Sequence, residues 1–407
     1  MVTLLLDCNI RLKAGFVPTF FITIFVRNII KNESFPPLRK RFNKLYGGII
    51  MNYQEQLNEL KKSDMRDDVE IKFVPGKHED GWLSDDTRTE LQNMFAHNPM
   101  FQNMDHKQDK PAKAPKISIQ AFRDGMGAKH KNVAKHELII DNTILNGSVT
   151  CRTYVREDLK DEVLPAMIYV HGGAFYGGSM MAVDDIARAF ADFGPYRVFN
   201  LEYSLAPEHP FPTALLECYS SLKYLHDNAA MLKLDPDKFY MSGDSAGGNL
   251  TAGTAYLDHA IFHTDFLTRI VLYYPDVTEV RDQRKELADT NSYTFKEMKN
   301  ELKALADFFS SDELAGTVYR NGHAQEEHLI SILNADHLEE MPPTEVIVGE
   351  FDPLRGQGEA FIKKLHDLNI ETHYIRYNGM SHAFLDSLGY YPQAEDSIQE
   401  AVKFLNK

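Results

Sequence analysis

The chain has 407 residues, of which 43% are hydrophobic and 25% are charged, and this composition is ordinary for a globular protein with a large core. At roughly 150 residues per domain the length suggests two or three domains, although α/β folds often run to about 250 residues as one domain. The net charge of −15 argues against nucleic acid as a partner, because nucleic-acid binding needs a basic face.

The first fifty residues differ in charge from the rest of the chain, because they carry eight basic and two acidic side chains. Their apolar stretch at 15–26 is interrupted by Pro18 and closed by Arg27, so it is shorter than the roughly 20 residues of a membrane helix. No clear signal peptide is present. Codons for Gly47 and Gly48 could spell a purine-rich ribosome-binding sequence a few bases before the Met51 codon, which would make Met51 the true start. We therefore expect residues 1–50 to be a non-native upstream extension or a disordered arm, with a weakly membrane-associating arm as the alternative.

The rest of the chain alternates between strand and helix patterns. Residues 51–62 and 87–95 are predicted to be helical, and a loop rich in Asn, Lys and Pro follows at 99–115. Eight strands are predicted, near 136–140, 149–155, 167–170, 197–203, 239–242, 270–274, 345–349 and 373–377. Helices are predicted at 214–228, 358–368 and 394–405, and the stretch 276–337 is helical in pattern. This alternation predicts an α/β fold with a mostly parallel sheet and helices on both faces.

A glycine-rich segment follows the third of these strands. The run ending at Val170 leads into HGGAFYGG at 171–178. Consecutive glycines leave backbone N–H groups unshielded by side chains, and such groups can stabilise an oxyanion by roughly 3 to 4 kcal/mol per donor.

The fifth predicted strand ends at the sequence GDSAG, which occupies residues 243–247 and is followed by a helix pattern. A strand, a sharp glycine-flanked turn and a helix are the context of a nucleophile elbow. The turn exposes one hydroxyl, and the helix start offers free N–H groups to an anion. Ser245 is therefore the candidate nucleophile.

Two further candidates follow the last two predicted strands. Asp352 lies in EFDPL after one strand, and His382 lies in GMSHAF after the next. A histidine can take the serine proton, and a carboxylate can orient and stabilise the imidazole. The order Ser, Asp, His is the one expected of an α/β-hydrolase.

Five motifs together resemble one known family: HGGAFYGG, EYSLAPEHPFP, GDSAGGNL, EFDPLRGQGEAF and GMSHAF. They are similar to those of the hormone-sensitive-lipase-like carboxylesterases of the α/β-hydrolase superfamily, in the branch with Asp before the nucleophile. The resemblance runs from residue 138 to the C-terminus. It implies an α/β-hydrolase catalytic domain at 131–407 with a cap insertion near 277–337, and N-terminal cap helices with a linker at 51–130.

The resemblance also implies a site. Ser245 would be the nucleophile, with Asp352 and His382 as its triad partners. The oxyanion hole would come from the N–H groups of Gly172, Gly173 and Ala246. Ala174 replaces a third glycine in the motif, a change we expect to be tolerated because its N–H remains. The expected substrate is a small-molecule carboxylic ester with a short to medium acyl chain, and activity should fall below roughly pH 6.5.

The sequence leaves other functions open. The same triad would serve an amidase or a sugar deacetylase. A non-catalytic ligand receptor on the same fold is also represented in the family, but such receptors have lost the catalytic histidine, and His382 is present here.

The cysteines bear on location and cofactors. Cys8, Cys151 and Cys218 have no metal-binding spacing, and so sparse and odd a set is typical of free thiols in a reducing cytoplasm. We expect a cytoplasmic protein with no metal, no organic cofactor and no stable membrane insertion. A homodimer is left open.

Overall fold

The computed structural model describes residues 51–97, 119–120, 123, 126, 129–310 and 315–407. The predicted extension at 1–50 and the loop predicted at 99–115 lie outside them. Contacts divide the chain into two units, Met1–Gln56 and Leu57–Lys407. In the first, Asn52 and Glu55 cap a helix start reciprocally: the Asn52 side chain accepts the Glu55 N–H at 2.8 Å, and the Glu55 carboxylate accepts the Asn52 N–H at 2.9 Å. The helix that starts there crosses the boundary, and every other helix and strand of the described residues belongs to the second unit.

One sheet contains every named strand of the described residues. The strands are β1 (Asp64–Arg66), β2 (Val69–Lys72), β3 (Leu138–Leu145), β4 (Val149–Arg156), β5 (Leu164–Val170), β6 (Arg197–Glu202), β7 (Leu234–Asp244), β8 (Leu267–Tyr273), β9 (Thr344–Gly349) and β10 (Thr372–Tyr377). Their spatial order is β1-β2-β10-β9-β8-β7-β5-β6-β4-β3. Neighbours from β2 to β6 are parallel, and the pairs at the two margins are antiparallel. The prediction of a mostly parallel sheet is therefore confirmed.

Helices precede, connect and follow these strands. They are α1 (Tyr53–Leu60), α2 (Asp85–His97), α3 (Asp184–Phe193), α4 (Thr213–Asp227), α5 (Ala246–Tyr256), α6 (Arg281–Leu287), α7 (Lys299–Ser310), α8 (Ala315–Arg320), α9 (Arg355–Asp367) and α10 (Pro392–Leu405).

The sheet is buried on both faces, as its central strands require. Along β5, Met167 and Tyr169 belong to a cluster with residues of α3 and α10, whereas Ile168 and Val170 belong to a cluster with residues of α4, α5 and α9. This alternation is the two-residue period of a strand. Because helices cover both faces of the sheet, the side chains on both sides of β5 are apolar, and its sequence is a continuous apolar run.

The N-terminal segment differs from the prediction, because it supplies strands as well as helices. β2 pairs in parallel with β10, and β1, which precedes β2 in the chain, pairs antiparallel with β2. The two strands are short and rich in charged residues, so their sequence carries little strand signal. β2 pairs with a strand about three hundred residues away and β1 pairs with β2, so the sheet edge, and not the local sequence, favours extended backbone here.

A third apolar cluster lies outside the two faces of the sheet. It joins Leu83 and Leu91 from the N-terminal segment to Leu302 and Leu305 from α7, and it includes Phe351. The two segments that the sequence assigns to a cap thus pack against each other. Phe351 directly precedes Asp352, so this cluster borders the segment that carries the candidate acid. The cap boundaries themselves stay a prediction.

Candidate active site

Ser245 occupies the turn between β7 and α5. Its backbone angles are φ 53° and ψ −116°, a conformation that few non-glycine residues adopt. Gly243 and Gly247 flank it, and a Cβ atom on either would come within 2.3 Å of a backbone oxygen. The glycines therefore permit a turn too tight for side chains, and this turn brings Ser245 to the carboxyl end of β7.

Asp352 and His382 reach the same edge of the sheet from neighbouring strands. Asp352 follows β9 and is 1% exposed, and its Oδ1 accepts the N–H of Leu354 at 2.7 Å. His382 lies in the loop after β10. Because the carboxyl ends of parallel strands lie at one edge, residues far apart in sequence come together there.

The three side chains form one hydrogen-bonded chain. The distance from His382 Nε2 to Ser245 Oγ is 3.1 Å. His382 Nδ1 lies 3.0 Å from Oδ1 and 2.9 Å from Oδ2 of Asp352. With Nδ1 protonated and donating to the carboxylate, Nε2 is free to accept the serine proton.

The charge of the site favours a basic imidazole. Burial of the ring acts to lower the pKa of His382, but the Asp352 carboxylate beside it prevails and raises that pKa above its ordinary value of 6.5. Such a shift strengthens the base and stabilises the imidazolium that forms once the serine proton has been transferred.

The glycine-rich segment after β5 lies beside the elbow, but its N–H groups are used unequally. The N–H of Gly172 donates to Asp244 Oδ1 at 3.0 Å. Gly172 therefore differs from the sequence expectation, because its N–H already has a partner. Within the described residues, no hydrogen bond is recorded from the N–H of Gly173 or Ala174. Ala246 opens α5, where an N–H has no partner within the helix.

Sequence reasoning missed the part played by Asp244, which stood out only as a mark of one branch of the family. Its Oδ1 accepts the Tyr169 hydroxyl at 2.9 Å as well as the Gly172 N–H. Burial raises the pKa of Asp244 to about 6, although these hydrogen bonds oppose the shift. Asp244 thus ties the glycine-rich segment to the serine turn. Its position directly before Ser245 was the only available signal.

Aromatic rings surround the imidazole. The Tyr274 ring centroid lies 4.9 Å from that of His382, and the Phe309 centroid lies 5.0 Å away, both close to edge-on. Tyr274 follows β8, and Phe309 belongs to α7 in the predicted cap. An apolar wall beside the base limits water access and favours an apolar substrate group.

Neither a membrane-spanning helix nor a metal-binding cluster occurs among the residues that the structure describes. No helix there combines the length and apolar character that crossing a bilayer requires. No group of three or more His, Cys, Asp and Glu side chains there could hold a metal ion.

Comparisons with known proteins agree with this fold. A family model described as the alpha/beta hydrolase fold matches residues 167–386. An arylesterase of Saccharolobus solfataricus is 32% identical over 54% of this chain and 68% of its own length. A carboxylesterase of Mycobacterium tuberculosis is 27% identical over 64% of this chain and 78% of its own. The solved structure of a hyperthermophilic esterase from Pyrobaculum calidifontis is 26% identical, with a TM-score of 0.60 over 80% of this chain and 98% of that one. The chain therefore belongs to the α/β-hydrolase fold family, among its hormone-sensitive-lipase-like carboxylesterases.

Proposed function

We propose that this protein is a carboxylesterase that cleaves esters of short to medium acyl chains through an acyl-enzyme on Ser245. The observation that carries the proposal is the hydrogen-bonded chain from Ser245 Oγ through His382 to Asp352. The reaction class is supported by relatives that are named as esterases and that this chain matches over most of their length.

Acylation begins when His382 Nε2 takes the Ser245 proton and the serine oxygen attacks the ester carbonyl. The negative oxygen of the tetrahedral intermediate is held by the N–H groups of Gly173 and Ala246, with that of Ala174 beside them. Gly172, also expected as a donor, supports the loop through its bond to Asp244. The imidazolium, stabilised by Asp352, then gives its proton to the leaving alcohol.

Deacylation repeats these steps with water as the nucleophile. His382 Nε2 removes a proton from water, the resulting hydroxide attacks the acyl-enzyme, and the same N–H groups hold the second oxyanion. Collapse of the intermediate releases the carboxylic acid and restores the Ser245 hydroxyl.

A limited acyl length is part of the proposal. Phe309 and Tyr274 border the imidazole, and the apolar cluster between α2 and α7 lies next to Asp352. Aromatic and apolar side chains this close to the triad favour a small or medium apolar acyl group over a long triglyceride chain.

Two alternatives use the same fold. An amidase or a sugar deacetylase would employ an identical triad, so substrate assays must separate them from a simple esterase. A non-catalytic receptor is disfavoured, because His382 is present and lies within hydrogen-bond distance of Ser245.

Hydrolysis of p-nitrophenyl esters from acetate to decanoate, by the full chain and by Ser245→Ala, tests the proposal. We expect the highest kcat/KM on the shorter esters and a loss of at least about 10³-fold in the variant, because the nucleophile is absent. Equal activity of the two proteins would exclude Ser245. Inactivity of both folded proteins on every ester would favour the amidase, the deacetylase or the receptor, and amide and acetyl-sugar substrates would then distinguish them.

Location and assembly complete the proposal. We infer a cytoplasmic protein from the cysteine usage, and in the described residues Cys151 and Cys218 are free and buried. The sequence leaves a homodimer open, and light scattering after size-exclusion chromatography measures the mass that decides it.

A further inference from the structure

A second buried carboxylate, Glu350, lies two residues before Asp352 and takes no part in the proposed chemistry. It directly follows β9 and is 2% exposed. Its Oε1 accepts the N–H of Gly81 at 2.7 Å, and its Oε2 accepts the N–H of Gly379 at 3.0 Å. One carboxylate thus joins the N-terminal segment to a glycine three residues before His382.

The loop that carries His382 fits closely against that segment. Gly379 has φ +77°, and a Cβ atom there would lie 2.3 Å from Val74 Cγ2 and 2.9 Å from the Ser84 nitrogen. The Ser84 N–H donates to the Gly379 carbonyl at 3.3 Å, and the Asn378 N–H donates to the Lys72 carbonyl at 2.8 Å. Residues 72–84 therefore form one wall of the histidine loop.

Asp80 supplies a second carboxylate to the same contact. Its Oδ1 accepts the side-chain amide of Asn378 at 2.7 Å, and its Oδ2 accepts the Arg376 guanidinium at 3.1 Å. Asp80 directly precedes Gly81 in the same turn. The Asp80 carboxylate reaches from this turn to the histidine loop, whereas the Glu350 carboxylate reaches to this turn from the end of β9. Asp80 is partly exposed and Glu350 is buried, so a variant at Asp80 should be the milder of the two.

The chemistry of Glu350 requires a carboxylate. Two backbone N–H groups from different segments need two acceptor oxygens, and an amide would turn an N–H toward one of them. Holding a charge there has a cost: burial raises the pKa of Glu350 to about 7, although the two N–H donors act to lower it. A buried group with such a cost and no step in the reaction needs another reason for its presence.

The same turn is also bonded to the predicted cap. The Lys296 N–H donates to the Gly81 carbonyl at 2.9 Å, and the Leu83 N–H donates to Glu297 Oε1 at 2.9 Å. Glu297 also accepts the Arg88 guanidinium at 2.6 Å. Glu297 lies just before α7, the helix whose Phe309 ring borders His382. The turn at 80–83 therefore contacts both the histidine loop and the segment leading into the cap helix.

We propose that Glu350 is a positioning residue that fixes the His382 loop against the turn at 80–83 and so holds the imidazole within reach of Ser245. This inference rests on the proposed function of the Ser245, His382 and Asp352 side chains. On this inference the N-terminal segment contributes to activity, because the turn at 80–83 provides the surface against which the His382 loop is held.

The test compares Glu350→Gln with Glu345→Gln in the full chain. Glu345 is the second residue of the same strand, is fully buried and accepts a hydrogen bond from His373, but it lies at the end of the strand away from the active site. We expect Glu350→Gln to lower kcat on a short p-nitrophenyl ester by about 10- to 100-fold, with KM within about twofold, because a small displacement of a catalytic group has effects of this size. Glu345→Gln should keep kcat per folded molecule within about twofold, even where it lowers the thermal unfolding temperature.

Asp80→Ala gives a second, independent arm in case Glu350→Gln does not fold. It removes the Asn378 and Arg376 contacts from a partly exposed position, and we expect kcat to fall by about 3- to 10-fold with KM little changed. The inference is overturned if the folded Glu350 and Asp80 variants both keep wild-type kcat, or if Glu345→Gln lowers kcat as much as Glu350→Gln. Ser245→Ala separates the two proposals: activity surviving there removes the proposed function, whereas an inactive Ser245→Ala beside a fully active Glu350→Gln removes only this inference.

Discussion

The backbone of Ser245, the proposed nucleophile, has a strained conformation. The φ of 53° at Ser245 is a conformation with a cost of about 1–3 kcal/mol for a side chain other than glycine. Its backbone is held on both sides: its N–H donates to the Tyr273 carbonyl at 2.9 Å, and its carbonyl accepts the Asn249 N–H at 3.1 Å. The strained turn is thereby fixed before substrate binds, so the hydroxyl needs no rearrangement to reach His382.

The pH dependence of activity belongs to this scale. Only the neutral imidazole accepts the serine proton, and the pKa of His382 is raised above 6.5. We therefore expect kcat/KM to fall as the pH decreases through a value above 6.5, rather than at the ordinary histidine value that the sequence alone predicts. A pH profile of kcat/KM measures this midpoint, and a half-maximal value well below pH 6 would contradict it.

Replacing the triad carboxylate tests the cause of that shift. Asp352→Asn should lower kcat by an amount on the order of 10⁴-fold, because the imidazole loses its orientation and the stabilisation of its charge. The remaining activity should fall at a lower pH than in the wild type, since the partner that raises the His382 pKa is gone. Asp367→Asn, which removes an exposed carboxylate from α9, is the control and should leave the profile unchanged.

Among the elements, helix α5 shows how packing controls the site. Gly247, in its first turn, packs so closely that a Cβ atom would lie 2.1 Å from the Val170 carbonyl oxygen and 2.6 Å from that of His171. These two residues lead into the glycine-rich segment that supplies the proposed oxyanion donors. The distance between α5 and β5 therefore also sets the distance between Ser245 and those donors.

Alanine substitutions within α5 make this argument testable. Gly247→Ala should destabilise the fold by about 3 kcal/mol and nearly abolish activity, because a backbone atom blocks the new methyl group and the strand must move. Gly253→Ala is the matched control: its Cβ would meet only the end of the Leu215 side chain, at 3.0 Å, and alanine favours a helix by about 1 kcal/mol. Urea unfolding and esterase assays measure both effects, and equal losses in the two variants would contradict the explanation.

At the scale of the whole molecule, charge pairs hold β2 against the neighbouring strand β10 and the last helix. His373 is the second residue of β10, and its ring nitrogens lie 2.7 Å from Glu345 Oε1 and 3.0 Å from Glu70 Oε2. Nearby, the buried Lys72 ammonium lies 2.7 Å from Glu400 Oε1. These contacts attach β2 to the sheet and to α10, so charge pairs take the place of the apolar residues expected at a buried strand.

The stability of this network should depend on pH. Burial lowers the pKa of His373, but hydrogen bonds to Glu345 and Glu70 prevail and raise it to about 9, and the bond to His373 lowers the pKa of Glu70 to about 2. The histidine contribution is complete below about pH 6.5 and is lost as the pH rises through 9. The Glu70 contribution is complete above about pH 4.5 and is lost as the pH falls through 2.

His373→Gln should therefore reduce the free energy of unfolding most between about pH 4.5 and 6.5, on the order of 3 kcal/mol, and progressively less toward pH 9.5. Urea unfolding at a series of pH values measures the difference from the wild type. His366→Gln, at an exposed histidine, is the control and should show no such trend. A difference that grows with pH would show that the charge of His373 is not what stabilises the sheet.

The sequence predicts the members of the proposed triad because each belongs to a short local pattern. A strand, a glycine-flanked turn and a helix identify Ser245, and loops after two later strands identify Asp352 and His382. Glu350 has no comparable signal, because its partners Gly81 and Gly379 lie about three hundred residues apart. The direction of the Gly172 N–H was unpredictable for the same reason, since Asp244 comes from another strand.

The sequence by itself determined the α/β alternation, the reaction class and the three side chains proposed to carry it out, because strand and helix periods and tight turns are local properties. Only the tertiary structure decided that β2 joins the sheet, that Gly172 supports the glycine-rich segment and that Glu350 joins the N-terminal segment to the His382 loop. Each of these depends on a hydrogen bond between segments that are distant in the chain. Such bonds arise only when the folded sheet brings their donors and acceptors together.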